Sequence, residues 1–210
     1  KATREKMPEE MIVQLPYLWK ILKFMGIPTL EQPGFEADDI IGTLAKMASK
    51  EELDVYIVSG DKDFMQLINE KVFLYTPSGK QSDIKIYDRN GVIDKWGVPP
   101  EKIIDLLGLM GDSSDNVPGV PGVGEKTAVK LINEYGSLEA SLDHADEVKN
   151  KRAREGLQNA RAKAFLSKEL VTIDTNMDLD IDLSTLKTNT LDKDSLVDIF
   201  QELEFESLQK

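Results

Sequence analysis

Apolar residues Ile12, Leu15, Leu18, Leu22 and Met25 recur at helical spacing along the first stretch of the chain. Pro8-Glu9-Glu10 opens that run with a proline and two acids, which suit the donor-rich, positive start of a helix. Pro16 lacks the N–H a helix interior needs and predicts a kink or break; Gly26 and Pro28 end the run. A second helix is predicted from Glu36-Ala37-Asp38-Asp39, with Ile40, Ile41, Leu44 and Ala48 on its apolar side. Residues 54–59 are β-rich, end at Gly60 and read as a buried strand, and 63–69 read as helical. Residues 72–76 and 84–87 predict two strands in a hairpin-like connection around Pro77-Ser78-Gly79-Lys80. Helices at about 89–96 and 100–109 follow. Strands alternating with helices predict an α/β fold, a largely parallel central sheet flanked by helices.

Beyond residue 110 the pattern changes. Val117-Pro118-Gly119-Val120-Pro121-Gly122-Val123-Gly124 is an apolar loop of glycine and proline. A helix over about 125–135 is stopped by Gly136, and the chain is helical to about 168. Residues 171–173 read as a short extended piece, 174–192 as loop, and 193–203 as a last amphipathic helix. This divides the chain into an α/β part, 1–110, and a helical part, 111–210. Trp19 and Trp96 are expected in the core, His144 on a helix surface, and the acidic face at 192–206 in solvent.

Composition narrows the chemistry. The 210 residues contain no cysteine and one histidine, which removes disulfides, thiol catalysis and cysteine-based zinc sites. No apolar run approaches the roughly 18 residues of a membrane span, and no signal peptide is visible, so a soluble cytoplasmic protein is expected. The net charge of −12 is uneven. Residues 174–206 carry ten acids against Lys187 and Lys193, a local −8, whereas 149–168 carry seven bases against Glu155, a local +6.

Three acidic clusters stand out: Glu36, Asp38 and Asp39; Asp61 and Asp63, just past the strand at 54–59; and Asp112 and Asp115. Taken singly they read as a helix cap, a turn and a loop. Taken together they suit the carboxyl edge of an α/β sheet, where sites form. Converging carboxylates raise one another's pKa values, and hard divalent cations such as Mg²⁺ or Mn²⁺ hold them ionised. Two such ions are a standard device for attack on a phosphodiester. The stretch Gly119 to Thr127 invites a P-loop reading, but Glu125 stands where the Walker pattern requires lysine. The same glycines can instead expose backbone amides to a phosphate at the start of helix 125–135, with Lys126 and Lys130 adding charge, or can simply allow tight packing of a helical corner.

The strings Gly34-Phe35-Glu36-Ala37-Asp38-Asp39, Ser59-Gly60-Asp61-Lys62-Asp63 and Gly111-Asp112-Ser113-Ser114-Asp115-Asn116 resemble, in order and spacing, the bacterial DNA polymerase I 5′-nuclease domain. Residues 117–128 resemble that family's helix–three-turn–helix, the ending Leu203 to Leu208 its close, and Lys1-Ala2-Thr3-Arg4 the Lys-x-x-Arg at the base of its helical arch. The resemblance covers essentially the whole chain. It implies a structure-specific 5′ nuclease that removes 5′ flaps and RNA primers and degrades nicked duplex DNA in replication and repair. Glu36, Asp38, Asp39, Asp61, Asp63, Asp112 and Asp115 would bind or surround two divalent metal ions. Lys1 and Arg4 would contact the scissile phosphate and the 5′ single strand. Gly119, Val120, Gly122, Val123, Gly124, Lys126, Thr127, Lys130 and Arg152 would form the DNA-binding surface, with K⁺ on the loop carbonyls. The partners implied are branched, flapped or nicked DNA and a polymerase domain of the same polypeptide, in a monomer at the bacterial nucleoid. The family's opening strand and most of its arch have no counterpart here, so this chain alone is expected to bind branched DNA weakly and not to cleave it. A catalytically silent DNA-binding module is the alternative.

Overall fold

The computed structural model describes residues 6–77 and 84–208. Lys1 and Arg4 lie outside them, as does most of the turn expected around Ser78-Gly79-Lys80. Helix α1 (Glu9–Ile12) stops where the ring of Pro16 would meet the carbonyl of Ile12, and α2 (Leu15–Phe24) restarts with that proline in its first turn. Helix α3 (Ala37–Lys50) opens with a capping box between Glu36 and Asp39. Strand β1 (Val55–Val58) leads into a 3₁₀ helix, Lys62–Leu67, within the stretch over 63–69 that the sequence reads as helical. The Asp61 side chain caps it by taking the Asp63 N–H, and Ile68 returns to extended backbone and ends it. Strands β2 (Val72–Pro77) and β3 (Ile84–Tyr87) precede α4 (Arg89–Trp96) and α5 (Ile103–Met110). After the glycine loop come α6 (Glu125–Tyr135), α7 (Leu138–Asp143), α8 (Lys151–Asn159), α9 (Arg161–Val171) and α10 (Lys193–Glu202). Gly136 caps α6 in the left-handed conformation, as its position predicts. Helix α9 runs through Val171, so the extended piece begins only at Thr172.

Two compact units divide the chain, Glu36–Met177 and a second made of Ala2–Phe35 with Asp178–Lys210. In the first, the three strands lie in the order β1-β2-β3. Strand β1 pairs parallel to β2, with Val55 opposite Val72, and β2 pairs antiparallel to β3, with Leu74 opposite Tyr87. Period-2 alternation turns Ile57, Val72 and Leu74 inward and leaves Tyr56 and Val58 exposed. The core continues from the inner sheet face through Phe64 and Met65 to α5, whose Ile103, Leu106, Leu107 and Leu109 are all buried. Helices α5 and α9 approach closely at Gly108, where a Cβ would lie 3.2 Å from the Lys168 backbone. Lys168 donates to Glu139 Oε1 (2.7 Å) and stands 2.6 Å from Asp105 Oδ1. Trp96 is half-buried, and its indole N–H points at the Met65 sulfur (3.0 Å).

In the second unit α2 packs on α10. Tyr17 Oη–H donates to Glu202 (3.1 Å), and Gly26 O accepts the Asn189 N–H (2.8 Å). Gly26 has φ +68°, and any Cβ there would strike the Asn189 carbonyl at 2.5 Å. Trp19, expected in the core, is 45% exposed, and α2 fully buries none of its residues. His144 is exposed, caps α7 and stacks on Tyr135.

Candidate active site and nucleic-acid surface

The second and third acidic clusters meet. Asp61 ends the loop after β1 and caps the 3₁₀ segment, accepting the Asp63 N–H at 2.9 Å. Asp112 follows α5, accepts the Ser114 N–H at 2.7 Å, and forms a salt bridge with Lys62. Burial leads the forces that raise the Asp63 carboxyl to about 7, reinforced by the negative charge of Asp61 and opposed by Lys62, with Asp112 and Asp115 adding smaller upward pushes. Asp63 Oδ1 is buried with no hydrogen-bond partner among the described residues. Burial also pushes Asp112 up, but Lys62 and the Ser114 amide overcome it and hold the carboxyl below its ordinary range. Lys62 is raised in turn: burial acts against its charge, and Asp112 outweighs that.

The first cluster stands at the start of α3. Asp39 Oδ2 takes the Glu36 N–H (3.4 Å) as part of the capping box, and Oδ1 takes the Asp174 N–H (2.9 Å). Each cluster therefore performs the local capping that acids perform at helix starts and turns. Among the described residues no group of three or more carboxylate or histidine side chains is arranged to hold a metal ion. The donor set suits a hard cation, and the unpartnered buried oxygen of Asp63 is the atom such an ion would satisfy.

The glycine loop is built from backbone. Asp112 and Val117 form an antiparallel bridge, with N–H to O distances of 3.0 and 2.7 Å. The Val120 N–H reaches Leu109 O (2.8 Å), and the Gly119 N–H reaches Ser167 Oγ (2.9 Å). Gly111 and Gly119, both at positive φ, face each other so closely that a Cβ on either would strike the other's backbone. Gly119, Val120 and Val123 are thus buried and hold the loop's shape. Gly124, Lys126, Lys130 and Arg152 stand at the surface, with Gly122 and Thr127 half-buried. Gly122 lies against Arg152, so α8 and the loop make one surface. Lys126, Lys130 and Lys149 border a groove of about 440 Å³ beside α6.

Sequence reasoning missed Lys62, although it sits between two singled-out acids. It also missed Gln66, Thr43 and Ser167, neutral side chains that no pattern distinguishes.

Comparison with known proteins gives the family. Residues 1–97 match the family model for the 5′-3′ exonuclease N-terminal resolvase-like domain, and residues 98–194 that for the 5′-3′ exonuclease C-terminal SAM fold. The DNA polymerase I of Bacillus subtilis is 42% identical over 99% of this chain and 24% of its own length. That of Rhizobium leguminosarum is 44% identical over 100% of this chain and 20% of its own. The chain spans about a quarter or less of the length of these curated relatives. Among solved structures, T5 5′-exonuclease with bound zinc ions superposes with a TM-score of 0.67 at 21% identity, covering 98% of this chain and 73% of that one. The catalytic core of Rad2 in complex with DNA substrate gives 0.63 at 20% identity, covering 94% and 64%. At such identities the likeness is one of fold.

Proposed function

Since the chain belongs to the 5′-3′ exonuclease family, we propose that it serves as the nuclease portion of a bacterial DNA polymerase I, hydrolysing phosphodiesters of 5′-flapped and nicked duplex DNA in replication and repair. The observation that carries this reading is Asp63, half-buried with one oxygen unpartnered, beside Asp61, Asp112 and Asp115. A purely structural turn has no use for a carboxylate that its own neighbours oppose. Asp61, Asp63, Asp112 and Asp115, with Glu36, Asp38 and Asp39, would hold two divalent ions. When bound, such ions activate a water and neutralise the leaving oxygen. The chain's own residues set the stage: Lys62 fixes Asp112 and offsets one negative charge, Asp61 fixes the backbone of Asp63, and the two clusters face each other across the end of α5. The loop 117–124, with Lys126, Lys130 and Arg152, grips the duplex through phosphates and reads no bases. A K⁺ ion on the loop carbonyls fits the same reading, since those of Val117 and Val120 each accept one backbone N–H and keep a second lone pair.

The local capping bonds of all three clusters favour the second reading, a silent DNA-binding module that uses its acids structurally. Incubating the full-length polypeptide that carries this chain with a 5′-flap oligonucleotide separates the two. Cleavage at the branch with Mg²⁺ or Mn²⁺, abolished by EDTA, is the outcome the nuclease reading expects. Binding without cleavage at saturating metal would favour the silent module.

A further inference from the structure

Residues 172–177 leave α9 without regular structure, yet they are held from both sides. On one side stands Gln66. Its Nε2 donates to Val171 O (2.8 Å) and to Asp63 O (3.0 Å), and its Oε1 accepts the Ile173 N–H (3.0 Å). Both donors and the acceptor are spent on main chain, which fixes the orientation of the amide. On the other side stands α3. Thr43 is 3% exposed; its Oγ1 donates to Asp174 O (3.2 Å) and accepts the Met177 N–H (3.3 Å). Gly42 permits the approach, since a Cβ there would lie 2.6 Å from Ile173 Cγ2. Between the two clamps, the Asp174 N–H donates to Asp39 Oδ1 at 2.9 Å.

We propose that Gln66 and Thr43 are positioning residues of the nuclease site. They fix the segment 171–177 so that the Asp174 amide orients the Asp39 carboxylate, while Gln66 ties the same segment to the carbonyl of Asp63. The first and second acidic clusters then share one clamp, and their separation is set by neutral side chains that touch neither DNA nor reacting atoms. The proposal rests on the nuclease reading above. Groups that orient ligating carboxylates act on the rate while leaving substrate contacts in place.

The test uses Thr43→Val, which keeps the shape and removes the hydroxyl, Thr43→Ser, which restores it, and Gln66→Met. Two quantities are read on the intact protein: amide hydrogen exchange at Asp174, and kcat and KM for a 5′-flap oligonucleotide with Mg²⁺. Thr43→Val and Gln66→Met should speed exchange at Asp174 and lower kcat about tenfold, with KM within about twofold of the parent. Thr43→Ser should return both to near the parent values. On an Asp39→Ala background, Thr43→Val should change kcat by less than about twofold, because the hydroxyl acts through Asp39. The proposal is overturned if exchange at Asp174 accelerates and kcat does not fall, if Thr43→Ser is as slow as Thr43→Val, or if Thr43→Val costs as much on the Asp39→Ala background as alone. Should Thr43→Val fail to fold, Gln66→Met carries the same comparison from the other side of the segment. A parent protein that cleaves no flap contradicts the nuclease reading instead, and exchange at Asp174 in the two variants then decides the clamp.

Discussion

The acidic edge and the glycine loop adjoin at Asp112, yet they are finished to different degrees. The loop is closed by its own atoms: the Val117, Gly119 and Val120 amides end on Asp112 O, Ser167 Oγ and Leu109 O, and Gly111 meets Gly119 at backbone contact. The acidic edge leaves Asp63 Oδ1 unpartnered, and burial together with the neighbouring charge of Asp61 raises the Asp63 carboxyl. Backbone packing makes the loop a rigid platform with no ligand required. The edge carries an electrostatic cost that a bound cation would offset, and such local departures from good design mark functional sites.

The largest expected effect breaks the acidic side alone. Asp61→Asn or Asp112→Asn should lower flap cleavage about a thousandfold, with DNA affinity nearly unchanged, as expected of acids that would hold ions rather than DNA. Wild-type rates in both variants at saturating Mg²⁺ would remove the metal assignment. Next is the platform. A Cβ at Gly156 would overlap the Pro121 carbonyl, so Gly156→Ala should cost about 3 kcal/mol in chemical denaturation and weaken duplex binding in proportion. An unchanged denaturation midpoint would mean that α8 and the loop are not packed as described.

A smaller effect is electrostatic. With chelator present, folded Asp63 titrates near 7 against an ordinary 3.8. Between those values the folded chain keeps a proton that the unfolded chain has released, so stability falls as pH rises through that window and stays low above it. Asp63→Asn should flatten the profile and gain about 1–2 kcal/mol at high pH. A variant whose profile parallels the parent's would place the titration elsewhere. The smallest effect sharpens the phosphate grip: each of Lys126→Ala, Lys130→Ala and Arg152→Ala should reduce the log–log salt slope of duplex binding by roughly 0.9 without altering sequence preference. A triple variant with the parental slope would move the DNA surface.

Much of this layout was legible in the sequence where one local rule acted alone. The break before Pro16 and the stop at Gly136 each follow from a single residue's backbone chemistry, and the strand over 55–58 from a short β-rich run. Two features depended on tertiary partners and were not legible. Trp19 is exposed, on a helix that fully buries none of its residues. At the acidic edge, the spacing of the acids named candidates, and two of the three clusters come together. Nothing in the pattern pointed to Lys62 as the counter-charge of Asp112, or to Thr43 and Gln66 as the residues that hold the strand-like segment between them.

If the acidic edge holds metal and the loop surface holds DNA, one crossed measurement separates the two. The double variant Asp61→Asn/Asp112→Asn and the triple variant Lys126→Ala/Lys130→Ala/Arg152→Ala of the intact protein are each titrated calorimetrically with Mn²⁺ and, separately, with nicked duplex DNA. The acidic variant should lose the heat of Mn²⁺ binding and keep its DNA affinity, and the basic variant should do the reverse. Mn²⁺ binding that survives loss of Asp61 and Asp112, or DNA affinity that falls with the acids and not with the bases, would contradict that assignment.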